Sequence, residues 1–204
     1  MVLVIGEILF DVFPDYRRIG GAPFNFAFHL HRLGEAVRFV SRIGMDAPGR
    51  EVLAFVEGCG LNAGDLQLDP EHPTGQVQVS LDKAAVPTFD ILPDMAYDHI
   101  QMDDRLQNLL ATPLRLIYFG TLAQRTPQGF RTLQALLSRR HPETRTFCDI
   151  NLRPDSYNDQ VIRASLRQTD VLKLSSEELQ MLRGIVGGPA EERALVDRLR
   201  SEFD

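Results

Sequence analysis

The sequence predicts an α/β fold built on a doubly wound, mainly parallel sheet, and three observations point there. Short apolar runs recur along the chain, helix-length stretches lie between them, and one strictly alternating stretch interrupts the pattern. The runs Val2 to Ile5, Val37 to Val40, Leu114 to Phe119, Thr146 to Ile150 and Val171 to Leu174 are compact enough for strands covered on both faces.

The intervening stretches read as helices. In Pro23 to Leu33, Phe24, Ala27, Phe28 and Leu30 fall at helical spacing; in Gly49 to Glu57, Val52, Leu53 and Val56 do the same before a stop at Gly58 and Gly60. A further helix is expected to begin near Asp103. Pro127 to Arg140 and Pro189 to Phe203 complete the set, each opened by a proline where the missing N–H costs little. The exception is Gln76 to Leu81, whose apolar residues alternate as in a strand with one wet face, with Pro87 in the next run. An antiparallel flap inserted there would cover the carboxyl edge of the sheet, where open α/β folds bind ligands.

Composition excludes several classes. With 22 Lys and Arg against 28 Asp and Glu, the net charge is −6 and no basic run stands out, so no nucleic-acid partner is expected. No apolar stretch approaches the ~18 residues of a membrane helix, and Met1 to Ile5 is too short for a signal sequence, so no membrane association and a cytoplasmic location are expected. Cys59 and Cys148 lack a metal-ligand spacing and read as reduced thiols. His29 and His31, two apart on one helix, point to different faces and make no metal pair. There is no Walker-type phosphate loop.

The most informative stretch is Gly20-Gly21-Ala22-Pro23-Phe24-Asn25-Phe26-Ala27, followed by Gly34 and Gly44. Paired glycines let the backbone approach a ligand, Pro23 presets a first helical turn, and Asn25 offers both donor and acceptor at the helix start. Locally, a polyol site and a plain Gly-Gly turn into a buried helix fit equally well. At every fixed position, however, the spacing resembles the first signature of the ribokinase/PfkB carbohydrate kinases. Gly6-Glu7-Ile8-Leu9-Phe10-Asp11 is similar to the first strand and turn of fructokinases, as Gly44-Met45-Asp46-Ala47-Pro48-Gly49 is to the segment after the signature.

That resemblance covers essentially the whole chain and implies a ribokinase-like fold with a small β lid from about 12–22 and 73–93. It implies that Asp11, Gly21 and Asn25 hydrogen-bond sugar hydroxyls, that Gly20 gives the backbone room, and that the flap carrying Gln76 and Gln78 closes over the sugar. Asp149-Ile150-Asn151-Leu152-Arg153-Pro154 resembles a stretch of fructokinases and 2-keto-3-deoxysugar kinases, in which Asn151 would face phosphate and Arg153 would clamp phosphate or a substrate carboxylate. Lys173 to Leu179 sits where the family has Asn-x-x-Glu, with Ser175 in the Asn position. By resemblance, Lys173 and Ser175 would serve the nucleotide and Glu178 the magnesium; Ser175 with Glu178 reads equally as a helix capping box.

The function so implied is phosphorylation of a sugar hydroxyl by ATP with Mg²⁺, fructose being the first substrate to consider and 2-keto-3-deoxygluconate the alternative. A homodimer through the lid is implied too. The family's late Asp-Thr-x-Gly-Ala-Gly-Asp motif, which carries the catalytic base, is not found among the 204 residues. The expectation is therefore that the C-terminal part of the family fold is missing, that an apolar sheet edge promotes self-association, and that the chain alone is an inactive kinase or a catalytically dead sugar-binding or regulatory fragment.

Overall fold

The computed structural model describes residues 1–81 and 87–203; residues 82–86 of the expected lid lie outside them. The chain opens with β1 (Val2–Ile5), β2 (Leu9–Val12), β3 (Arg17–Gly20) and α1 (Ala22–Arg32). It continues through β4 (Val37–Gly44), α2 (Ala47–Gly58), β5 (Leu66–Asp69), β6 (Gly75–Leu81) and β7 (Pro87–Ile91). Then follow α3 (Asp104–Leu110), β8 (Leu116–Gly120), α4 (Pro127–Ser138), β9 (Arg145–Asp149), α5 (Asp159–Leu166), β10 (Val171–Lys173), α6 (Ser176–Val186) and α7 (Glu192–Phe203).

Six strands form the main sheet in the order β10-β9-β8-β1-β4-β5, and every neighbouring pair is parallel. All four residues of β1 are buried because the strand is covered twice: Val2 and Val4 pack with Phe24 and Val52 beneath α1 and α2, whereas Leu3 and Ile5 pack with Leu106 and Leu136 beneath α3 and α4. The chain runs outward from β1 through β4 to β5, then restarts at β8 on the other side. The order thus reverses between β1 and β8, and a crevice opens there at the strands' carboxyl ends.

The lid is a second sheet, β3-β2-β6-β7. β6 is antiparallel to β7 but parallel to β2, so the flap is completed by the segment that directly follows β1. Both of its roots are pinned to the body. At the entry, Asp46 caps α2 by accepting the Gly49 N–H at 2.7 Å, and also accepts from the Thr74 N–H at 2.9 Å and the Thr74 hydroxyl at 2.6 Å. At the exit, the Arg125 guanidinium donates to the Leu92 carbonyl at 2.6 Å and to both oxygens of the buried Asp98 at 2.7 Å.

Sequence and structure differ in places. Asp11, expected just beyond a buried strand, lies within β2; the last helix begins at Glu192, with Pro189 ahead of it rather than opening it. The strand β5 and helices α5 and α6 are additions that the apolar runs of the sequence did not mark out, although α6 places Leu179, Leu182 and Val186 at helical spacing. None of the helices among the described residues is long and apolar enough to cross a membrane.

Candidate functional site

A cavity of about 170 Å³ lies in the crevice at the β1/β8 reversal, under the lid. Its size is below that of a pocket for a drug-sized ligand. Register explains what lines it. Across the lid, Arg18 pairs with Asp11, Asp11 with Val77, and Val77 with Ile91, so these four side chains form one row on one face. Asp11, Val77 and Ile91 line the cavity, and Phe89 from the next row of that face closes the roof. Gln76 pairs with Phe10 and Gln78 with Val12, one residue out of phase. Both glutamines therefore point to the opposite face and do not line the cavity, contrary to their expected place against the sugar.

Asp11 is held by a 3.4 Å hydrogen bond from the mostly exposed Arg18. A Cβ at Gly20 would stand 2.7 Å from an Asp11 carboxylate oxygen, so the glycine leaves that oxygen its space. At Gly21, φ is 108° and a Cβ would meet the Glu7 carbonyl oxygen at 2.6 Å; only glycine fits where the chain turns into α1 over the end of β1. Asn25, in the first turn of α1, donates its backbone N–H to the Gly21 carbonyl and lines the cavity with its side chain. No side chain caps that helix start, so its first-turn dipoles face the crevice.

The far wall comes from the loop after β9. Asn151, at φ 39°, and Arg153 both line the cavity. Arg153 lies over the Phe89 ring at 5.7 Å and makes no ion pair with a carboxylate among the described residues. The site thus presents a cation available to an anionic group. Lys173, Ser175 and Glu178 stand outside this lining. Lys173 Nζ is 2.9 Å from Asp149, whose other oxygen accepts the Tyr118 hydroxyl at 3.0 Å. Ser175 and Glu178 form the capping box of α6, and the second Glu178 oxygen accepts the Leu152 N–H at 2.8 Å. Each Glu178 oxygen is thereby committed to a backbone donor. No other carboxylate joins it in a cluster among the described residues, a poor match to magnesium's demand for an octahedron of oxygens. Asn151 and Arg153 instead bring an amide and a guanidinium to the cavity wall.

Sequence reasoning passed over Glu7. It is 3% exposed, lines the cavity floor, and its Oε2 has no hydrogen-bond partner among the described residues. Burial pushes its pKa up to about 7, against the pull of the Glu7 and Ala22 backbone N–H groups and of Arg153; Asp149 adds to the rise. The signal that could have found it was a carboxylate placed one glycine beyond a fully apolar strand.

Comparison with known proteins adds identity to this geometry. Residues 6–202 match the pfkB family carbohydrate kinase model. The fructokinase of Salmonella typhimurium is 30% identical over 189 residues, which cover 87% of this chain and 61% of that protein. Among solved structures, the fructokinase of Xylella fastidiosa with bound ATP superposes with a TM-score of 0.83 at 23% identity, covering 98% of this chain and 65% of that one. The Vibrio cholerae O395 fructokinase bound to fructose, ADP and calcium ion gives 0.81 at 24%, covering 99% and 67%. The chain thus spans about six tenths of the length of the Salmonella relative. The two structures share its fold, a mostly parallel sheet flanked by helices in the ribokinase-like manner, and the match over residues 6–202 shows that this chain belongs to the pfkB family of carbohydrate kinases.

Proposed function

We propose that this chain forms the sugar-binding part of an ATP-dependent kinase that phosphorylates a sugar hydroxyl, with fructose as the first substrate to test. The observation that carries the reading is the convergence of Asp11 and Asn25 on one small cavity beneath an apolar lid. A carboxylate accepts two hydroxyl protons at once, an amide donates and accepts, and together they suit a polyol. Val77, Phe89 and Ile91 offer apolar surface to the C–H groups of a sugar. Glu7, which burial keeps protonated up to about pH 7, can donate as well as accept at the cavity floor. Relatives with ATP or with fructose and ADP support the same pairing of ligands.

ATP, when bound, supplies the phosphoryl group, and Asn151 and Arg153 are the residues of this chain placed to hold its phosphate. The sequence lacks the Gly-Ala-Gly-Asp turn that would carry a base, so the 204 residues alone are expected to bind sugar without turnover. Titration calorimetry with fructose, beside a coupled assay of ATP consumption, tests both parts. Asp11→Asn should weaken fructose binding about 10- to 100-fold, as expected for losing hydrogen bonds to a charged acceptor. Unchanged affinity in that variant would remove the reading.

One observation favours a second substrate. Arg153, a cation on the cavity wall with no carboxylate partner among the described residues, suits an acid sugar such as 2-keto-3-deoxygluconate. Arg153→Ala should then depress binding of the keto-acid sugar about tenfold or more while leaving fructose nearly unaffected.

A further inference from the structure

At the lid root, three side chains from separate segments meet. His72 precedes β6, Asp94 follows β7, and His99 lies in the 3-10 turn before α3. The two imidazoles stack with centroids 3.6 Å apart. One Asp94 oxygen lies 2.9 Å from His99 Nε2 and 3.6 Å from His72 Nε2, and one ligand atom from each of the three residues falls within 4.8 Å of the others.

The hydrogen bonding around His72 gives this cluster its meaning. Its Nδ1 stands 3.1 Å from the buried carboxylate of Asp69, which also takes the Arg42 guanidinium at 2.6 Å. A carboxylate so paired accepts only, so Nδ1 carries the hydrogen and Nε2 of the neutral ring shows a lone pair. That lone pair faces the Asp94 carboxylate, also an acceptor, beside a second imidazole. A cation among the three groups would satisfy that lone pair and the carboxylate together. An imidazole whose far nitrogen is fixed by a carboxylate is also how proteins orient a metal-binding histidine.

We propose that His72, His99 and Asp94 bind a divalent transition metal of the zinc type, with Asp69 orienting His72. Two imidazoles and a carboxylate suit Zn²⁺ or Co²⁺ rather than Mg²⁺, and leave a fourth position for water. As the rings stand, their nitrogens lie side by side, so metal bonding asks the His99 ring to tilt; its one recorded side-chain hydrogen bond among the described residues is to Asp94. The metal would join the strand entering the lid, the strand leaving it and the body turn between them and α3. The lid would then be fixed at its base by a bond no sugar or nucleotide supplies.

Cobalt is the direct probe, because a four-coordinate site gives it visible absorption that depends on no enzymatic activity. Protein stripped with a chelator and titrated with Co²⁺ should develop that absorption at one equivalent, and zinc should abolish it. His99→Ala and Asp94→Asn, both on partly or largely exposed side chains, should each weaken binding about tenfold or more, whereas His141→Ala on the far surface should not. Folded wild-type protein that binds neither cobalt nor zinc would show that the cluster shares only a proton, and so overturn the proposal. Binding that survives in both His99→Ala and Asp94→Asn would place the metal elsewhere and overturn it equally.

Discussion

Glu7 shows how one residue's environment sets its chemistry. Burial raises its pKa from the ordinary 4.5 to about 7 in the folded chain. Between those values the folded chain holds a proton that the unfolded chain releases, so the stability tied to this group is complete below about pH 4.5 and is lost as the pH rises through 7. Glu7→Gln removes the titration with little change of shape. The stability difference between wild type and this variant should therefore shift by about 3 kcal/mol against the wild type from pH 4.5 to 8, read by urea unfolding at each pH. At this scale the sequence was legible where a motif named a residue that the fold brings to the cavity wall, as for Asp11, Asn25 and Arg153. It was not legible for Gln76 and Gln78. Their shared face was plain from the alternation, but which face met the cavity depended on pairing with β2, a contact more than sixty residues back along the chain.

Among the elements, the lid depends on its roots. Asp46 joins the start of α2 to Thr74 at the entry of β6, with three hydrogen bonds from one carboxylate, and burial is outweighed by those donors so that its pKa falls below the ordinary value. Asp46→Ala removes a helix cap and both lid bonds, and should cost about 2 to 3 kcal/mol in chemical unfolding. Hydrogen exchange should rise first at Thr74 and along β6, and if β6 stays as protected as in the wild type, Asp46 caps the helix and nothing more. The segment Gly44 to Gly49 was recognised in the sequence only as a neighbour of the signature; its purpose as a lid anchor needed Thr74 in view. Helices with an apolar stripe and a proline start, α1 and α4, were legible nearly to the residue. α5 is only eight residues long, and α6, as long as α1 but without a proline start, buries Leu179, Leu182 and Val186 along the β10 side.

For the whole molecule, the strand order follows from burial. Runs without polar alternation need cover on both faces, and helices on both sides of a parallel sheet provide it. The order's reversal beside β1 was not readable, because no local pattern says on which side of β1 the fourth parallel strand, β8, will add. One edge of that sheet, β10, has no outer neighbour among the described residues. Beside it runs a groove of about 630 Å³ lined by Leu166, Leu172, Leu199 and Phe203, and Val171 and Val196 are 46% and 39% exposed. Self-association that grows with concentration is expected in sedimentation velocity. Val196→Asp, on an exposed helix position, should weaken it about tenfold, on the scale of one buried valine.

The first strand of the body and the second sheet are joined by only Gly6, Glu7 and Ile8. The middle link of that tether is the buried acid at the cavity floor. Because burial already sets that carboxyl near neutrality and leaves one of its oxygens unpartnered among the described residues, a guest bonding to it would be felt as uptake or release of a proton near pH 7.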